Sequence, residues 1–202
     1  SDVYKRQPVV DVVLDPDLAR ILRPHQIEGV KFMYEAVTGI SSLEQGHTTP
    51  GQGAILADEM GLGKTLQTIA LIATLLRQNC YFSNIRPGTV EKVLIVCPLT
   101  LVVNWKREFR KWIGRSSIGV LAVEGDGRKE VERFVSHRQY QVLILGHERL
   151  RNCVQELSRA MPGVGLVVCD EGHRLKSKDT KTTKCFDLLP TRRRILLTGT
   201  PI

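Results

Sequence analysis

The sequence predicts an α/β fold of three layers: a central, mostly parallel sheet with helices on both of its faces. Three observations predict it. Short apolar runs recur along the 202 residues without alternation, which is how strands buried on both faces read. Segments between these runs carry apolar residues at a 3.6-residue spacing. The two patterns alternate, with no internal repeat and no low-complexity tract, and such alternation implies parallel strands joined through helices.

The strand candidates, in order, are "GAILAD" (53–58), "KVLIVCP" (92–98), "IGVLAVEG" (118–125), "YQVLILGH" (140–147), "GLVVCDE" (165–171) and "RILLTGT" (194–200). Ile27, Val30, Met33, Tyr34 and Val37 mark a first helix. Thr65 to Gln78, with Leu66, Ile69, Ala70, Ala73 and Leu76, marks a second. Leu101 to Trp112, with Leu101, Trp105, Phe109 and Trp112, marks a third. "SSLEQGHTTPGQG" (41–53) and "SNIRPGTVE" (83–91) have loop composition and read as surface insertions within one domain.

A hydrophobic fraction of 42% and a charged fraction of 25% are those of an ordinary globular chain. No apolar run is long enough to span a membrane, and no signal-peptide pattern opens the chain. The net charge of +8 is compatible with a polyanionic partner and equally with a solvated surface. The five cysteines (Cys80, Cys97, Cys153, Cys169, Cys185) are scattered singly with no C-x-x-C pair, so they read as small buried thiols. His47 and His137 lie in polar segments and read as surface residues. Ser1 to Gln7, "SDVYKRQ", match the translation of a transposon adaptor used in sequencing libraries, and are expected to be non-native. The domain is expected over residues 8–202, truncated at its C-terminal end, where "LTGTPI" stops within a motif.

"AILADEMGLGKT" (54–65) nearly spells the phosphate loop G-x-x-x-x-G-K-[ST], with Asp58 where the first Gly should stand. The chemistry needs small residues at a tight turn, free backbone N–H groups and a helix start just beyond. Gly61 and Gly63 allow the turn, Lys64 brings a cation to the outer phosphates, and Thr65 offers a hydroxyl for Mg²⁺. The strand before and the helix after supply the context that a chance Gly-rich turn would lack.

A second site follows "GLVVCDEGH". Asp170 and Glu171 fall at the C-terminal end of a buried strand, where open α/β sheets bind ligands. One acid suits Mg²⁺ and the other the attacking water. Adjacent strand residues face opposite ways, so the two acids divide these roles only if the strand ends there, and Gly172 would let it end. Lys64 and this acid pair are expected to meet around one magnesium–triphosphate.

"DEMGLGKT", "DEGH" and "LLTGTP", in this order, resemble the SWI/SNF-type DNA-dependent ATPases of helicase superfamily two, from about Val9 to Ile202. The resemblance implies the first RecA-like lobe of a P-loop NTPase, with ATP and Mg²⁺ as cofactors. Asp commonly replaces the first loop Gly in that family. The implied nucleotide-binding set is Arg23, Gln26, Asp58, Gly61, Leu62, Gly63, Lys64, Thr65 and Leu66, with Gln26 of "LRPHQIEGVKF" reading the adenine edge and His25 ordering the loop. Lys64, Asp170 and Glu171 are the implied catalytic residues: Asp170, with Thr65, serves Mg²⁺, and Glu171 is the base. His173, Thr198, Gly199 and Thr200 are implied to couple hydrolysis to DNA. "CPLTLVVNW" and "LGHERLR" resemble the DNA-backbone motifs, although His147 stands where relatives usually carry Tyr.

Within the family, "LRPHQ…GVKF", "CDEGHRLK" and "LIVCPLTLVVNWKREFRKW" resemble the recombinational-repair translocases, which act with a RAD-type recombinase on double-stranded DNA. The resemblance therefore implies an ATP hydrolase that translocates on DNA in homologous recombination and repair in the nucleus. Its implied partners are double-stranded DNA, a recombinase filament and a second RecA-like lobe, with no membrane. The alternatives are a strand-separating helicase of the same superfamily, on DNA or RNA, and a chromatin remodeler of another SWI/SNF branch. The isolated lobe is expected to be inactive.

Thr100, Asn104, Arg149 and Arg151 lie beyond two strand ends and are positioned to donate to phosphate oxygens, a contact without sequence information. The aromatics of "NWKREFRKW" (104–112) share a stripe with Leu101 and read as core. Lys106, Arg107, Arg110 and Lys111 form an outward face that either touches phosphate or is simply solvated. "TRRR" (191–194) carries the same two readings, with solvation favoured.

Overall fold

The computed structural model describes residues 10–40, 51–57, 63–80, 88–114, 117–171 and 180–199. Six strands form one sheet: β1 (Gly53–Ala57), β2 (Lys92–Cys97), β3 (Gly119–Ala122), β4 (Tyr140–Gly146), β5 (Val164–Cys169) and β6 (Arg194–Thr198). Every pairing is parallel, and the order across the sheet is β1-β6-β5-β2-β4-β3. Each predicted apolar run supplies one strand. The helices are α1 (Pro16–Ile21), α2 (Pro24–Thr38), α3 (Lys64–Arg77), α4 (Val102–Ile113), α5 (Arg128–Ser136), α6 (His147–Leu157) and α7 (Thr180–Asp187).

The non-alternating runs follow from a core on each face. Val93, Ile95 and Cys97 of β2 point into one layer with Ile69 and Ile72 of α3 and Trp105 and Phe109 of α4. Leu94 and Val96 point into the other, with Phe134 of α5 and Leu150 and Val154 of α6. Both directions along the strand must therefore be apolar. α3 is buried on nearly every side from Gln67 to Leu76, because α2 and α4 cover the flank that faces away from the sheet.

Local signals set the helix ends. Pro16 and Pro24 stand in the first turns of α1 and α2, where a missing N–H costs nothing. Asp15 caps α1 by accepting the Asp17 N–H at 2.9 Å. Gly39, at φ 73, closes α2 in the left-handed conformation and returns its N–H to Glu35 O. Ile27 departs from the expected stripe: it is 37% exposed, and Gln26 is the buried member of that turn. Among the described residues no helix is long and apolar enough to cross a membrane.

Trp105 and Phe109 are buried as their spacing predicts, with ring centroids 6.3 Å apart, while Trp112 is half-buried beneath the Lys111 ammonium. Lys106, Arg107, Arg110 and Lys111 are exposed, and Lys106 pairs with Glu124 at 2.7 Å. All five cysteines are free and buried. Burial pushes the Cys97 and Cys169 thiols up to about 12, helped by the nearby Asp170 carboxylate, and Cys153 up to about 11. Few of these three thiols ionise near neutral pH.

Candidate nucleotide-binding site

Strand order decides where the site is. β6 lies between β1 and β5, so the carboxyl ends of β1 and β5 are about 10 Å apart, two strand spacings. Ala57 pairs with Thr198, and Leu196 pairs with Cys169, so the three strands end on one edge. The phosphate-loop side, the Thr198–Gly199 turn and the acid pair thus stand in a row.

On the loop side, Gly63 caps α3 at φ 80, a left-handed conformation that glycine adopts without strain. Gly63 has no side chain to occupy the first-turn N–H groups of α3. The helix start therefore faces forward with its positive dipole end, as an anion site requires. Lys64, Thr65 and Leu66 are half-buried in that first turn. Gln26 sits directly against the turn: a Cβ on Gly63 would collide with its Nε2. The other end of the same amide, Oε1, accepts the Arg23 N–H at 2.9 Å, so Gln26 is clamped between the head of α2 and the head of α3.

On the acid side, β5 ends at Cys169, yet the Asp170 N–H still donates to Val96 O at 2.8 Å, which holds it in line with the sheet. Its carboxylate is pinned at both oxygens. Oδ2 accepts the Trp105 indole N–H at 2.9 Å, and Oδ1 accepts the Glu171 N–H at 2.9 Å. Burial raises the Asp170 carboxyl above the usual range, opposed chiefly by these two hydrogen bonds. Glu171 raises it further, and the Lys64 ammonium lowers it. The Lys64 effect is the weakest of these, as expected of two charged groups on one sheet edge that make no direct contact.

β5 ends at Cys169, and Gly172, expected to let the strand end, lies outside the described residues. Glu171 itself makes the turn, at φ 57, and is the sole positive-φ residue other than glycine among the described residues. Thr198 is buried at the end of β6, followed by Gly199. Asp58, Gly61, Leu62, His173 and Thr200 lie outside the described residues.

The residues present fit a magnesium–triphosphate. Among the described residues no group of three or more His, Cys, Asp or Glu gathers to form an all-protein cage. One carboxylate, Asp170, and one hydroxyl, Thr65, are the oxygen donors that suit Mg²⁺ held largely by phosphates and water. A bound Mg²⁺ would neutralise charge on the outer phosphate oxygens. In such a complex the head of α3 and Lys64 would face the phosphates, and Asp170 would lie across the same sheet edge.

The four phosphate-contact candidates fall on the other half of the same edge. Thr100 is exposed in the 3₁₀ turn Leu99–Leu101 after β2, and Asn104, in the first turn of α4, accepts from Arg107. Arg149 and Arg151 lie on α6, just after β4, the neighbour of β2. The Arg149 Nη2 donates to Gly125 O at 2.9 Å, so part of that guanidinium is committed to the turn after β3, while Arg151 is exposed.

Two residues escaped sequence reasoning. Trp105 was legible as core, but its polar tip reaches Asp170 only because β5 neighbours β2. Lys92 opens β2, fully buried, and its ammonium donates to Phe134 O, to His137 O at 3.0 Å and to Tyr140 O at 3.1 Å. No local pattern signals either contact.

Fold and site together define a nucleotide-binding α/β lobe of the RecA-like kind. A family model described as the SNF2-related domain matches residues 25–202, and the chain belongs to that family. It is 42% identical over 221 residues to the DNA repair and recombination protein RDH54 of Saccharomyces cerevisiae, covering 96% of this chain and 24% of that protein. It is 48% identical over 195 residues to the DNA repair and recombination protein RAD54B of Gallus gallus, covering 96% and 20%. With the DNA repair protein rhp54 of Schizosaccharomyces pombe the identity is 46% over 212 residues, covering 99% and 24%. The chain thus spans a fifth to a quarter of the length of these relatives. The Sulfolobus solfataricus SWI2/SNF2 ATPase core in complex with double-stranded DNA superposes with a TM-score of 0.68 at 28% identity, covering 95% of this chain and 35% of that one. The SWI/SNF-type resemblance read from the motifs, its recombinational-repair branch included, is borne out.

Proposed function

We propose that this chain is the ATP-binding lobe, over residues 8–202, of a DNA-dependent ATPase that translocates on double-stranded DNA during recombinational repair in the nucleus. The observation that carries the proposal is strand order: β1, ahead of the α3 head that bears Lys64, and β5, which ends just before Asp170, finish on one sheet edge on either side of β6, which ends at the buried Thr198. Lys64 neutralises the outer phosphates, Asp170 with Thr65 serves the Mg²⁺, and Glu171 deprotonates or orients the attacking water. Thr198 and Gly199 couple hydrolysis to DNA in this reading, which the place of β6 between β1 and β5 supports. The names of the relatives support the repair context, and the neighbouring structure, a core with double-stranded DNA, supports the substrate. Thr100, Asn104, Arg149 and Arg151 track the phosphate backbone on the adjacent half of the edge. A recombinase filament is the partner in this reading.

The lobe by itself lacks a partner lobe's arginine, a group worth about 10³–10⁵ in rate. Residues 8–202 alone are accordingly expected to bind ATP weakly and hydrolyse it barely. The test uses the full-length protein. Its ATPase should rise steeply with double-stranded DNA and fall steeply with salt. Glu171→Gln should abolish turnover while nucleotide still binds, and unchanged turnover would remove Glu171 from its role. A strand-displacement assay separates translocase from helicase: ATPase without unwinding supports the translocase.

A further inference from the structure

We propose that Trp105 is a positioning residue for the metal acid Asp170, holding its carboxylate through the 2.9 Å bond from the indole Nε1 to Oδ2. The inference rests on the nucleotide-site reading and deepens it.

Trp105 is nearly fully buried, packed in the core between α4 and the sheet, against Phe109. Packing alone would be served as well by a ring without a polar atom. An indole N–H in such a place needs an acceptor, because an unpaired buried donor costs stability. Its acceptor is not a backbone carbonyl but the carboxylate at the end of β5. The opposite oxygen, Oδ1, accepts the Glu171 N–H at 2.9 Å, so the carboxylate plane is fixed by one bond from each side. A carboxylate offers about four acceptor positions, so two bonds leave lone pairs for an ion. Such outer partners commonly orient metal ligands and keep them charged, and removing one typically costs about 10- to 100-fold in metal affinity. Trp105 itself touches neither phosphate nor ion in this account. It acts through Asp170.

Its position on α4 adds a structural consequence. Asn104, a phosphate-contact candidate, is the preceding residue, so one helical turn carries both the DNA-facing group and the support for the metal acid. α4 thereby joins the two halves of the sheet edge.

The test compares full-length wild type with Trp105→Phe, which keeps the aromatic bulk and removes the N–H. A second variant carries 3-benzothienylalanine at position 105, with sulfur in place of the N–H, introduced by stop-codon suppression, in case the phenyl ring packs poorly. Binding of a fluorescent N-methylanthraniloyl ADP is titrated with Mg²⁺, and separately measured in EDTA. Both variants should need about tenfold more Mg²⁺ for half-saturation, with metal-free nucleotide affinity unchanged. A merely structural role would weaken metal-free and Mg²⁺-dependent nucleotide binding together, and that result would overturn the proposal. So would a Mg²⁺ dependence identical to wild type in both variants. Lys64→Ala is run in parallel: nucleotide binding that survives it would sink the phosphate-loop reading, and this inference with it. Loss of binding in Lys64→Ala with unmoved Mg²⁺ dependence at position 105 sinks the Trp105 assignment alone.

Discussion

The side-chain amide of Gln26 stands where a Cβ on Gly63 would have to go. Any side chain at position 63 would therefore force the Gln26 amide at the head of α2 to move. The left-handed φ of 80 imposes the same requirement from the backbone. Gly63→Ala faces both penalties at once, conformational strain and a displaced Gln26. A loss of about 1–3 kcal/mol in unfolding free energy is expected. Nucleotide affinity should fall with it, because Gln26 and the α3 N-terminus shift together. Urea unfolding and nucleotide titration measure the two effects. A variant as stable as wild type would show that the loop has room the structure does not have.

Glu171 holds a left-handed backbone without being glycine, and strain of this kind gathers at functional sites. Glu171→Gly should relieve it and raise stability by about 1 kcal/mol, while hydrolysis in the full-length protein is lost with the carboxylate. Stability up and activity down in one substitution is the signature. A destabilised Glu171→Gly would mean that the side chain holds the fold and that the turn carries no strain.

The sheet was legible because both its faces are covered: β2 reads "KVLIVC" with no polar gap, and each such run became a strand. The periodic helices were legible for the same reason, since the stripe of Trp105 and Phe109 is also the buried stripe of α4. Strand order was not legible. Short motifs state which residues end a strand, not which strands are neighbours, and the Trp105–Asp170 bond depends on that order. Glu171 was read as an acid, and only coordinates reveal that it turns the chain at a left-handed φ. Lys92 carried no signal beyond opening a strand run, because its acceptors come from the end of α5 and the start of β4, elements distant in sequence.

The cysteines lend themselves to a chemical test. Alkylation acts on thiolates, and burial with the neighbouring Asp170 charge pushes Cys97 and Cys169 up to about 12, so almost none ionises at pH 8. Cys153, at about 11, behaves alike. Iodoacetamide followed by peptide mapping should leave all five positions unmodified in the native protein and label all five in urea. Fast native labelling at Cys97 or Cys169 would show that the sheet edge around Asp170 opens on the alkylation timescale.

Lys92 gives the final and most quantitative expectation. Its ammonium donates to three backbone carbonyls and lies 4.5 Å from the Phe134 ring centroid, gathering the end of α5 against the start of β4. Lys92→Ala removes the stem and strands three acceptors, and should cost about 3 kcal/mol. Charge and packing separate by pH. Desolvation lowers the Lys92 pKa from 10.5 to about 8, the Arg138 charge adding to the fall and the Glu91 charge resisting it. Between those values the unfolded chain holds the proton and the folded chain has released it. Unfolding therefore takes up a proton in that window, and stability from this group climbs as pH rises from about 8 to 10.5. The gain is at most about 3 kcal/mol by linkage. Lys92→Met keeps the stem and cannot titrate, so the wild-type unfolding free energy measured relative to it should grow across the window. A difference that stays flat from pH 7.5 to 10.5 would mean that the three carbonyls and the ring hold the charged form as well as water does.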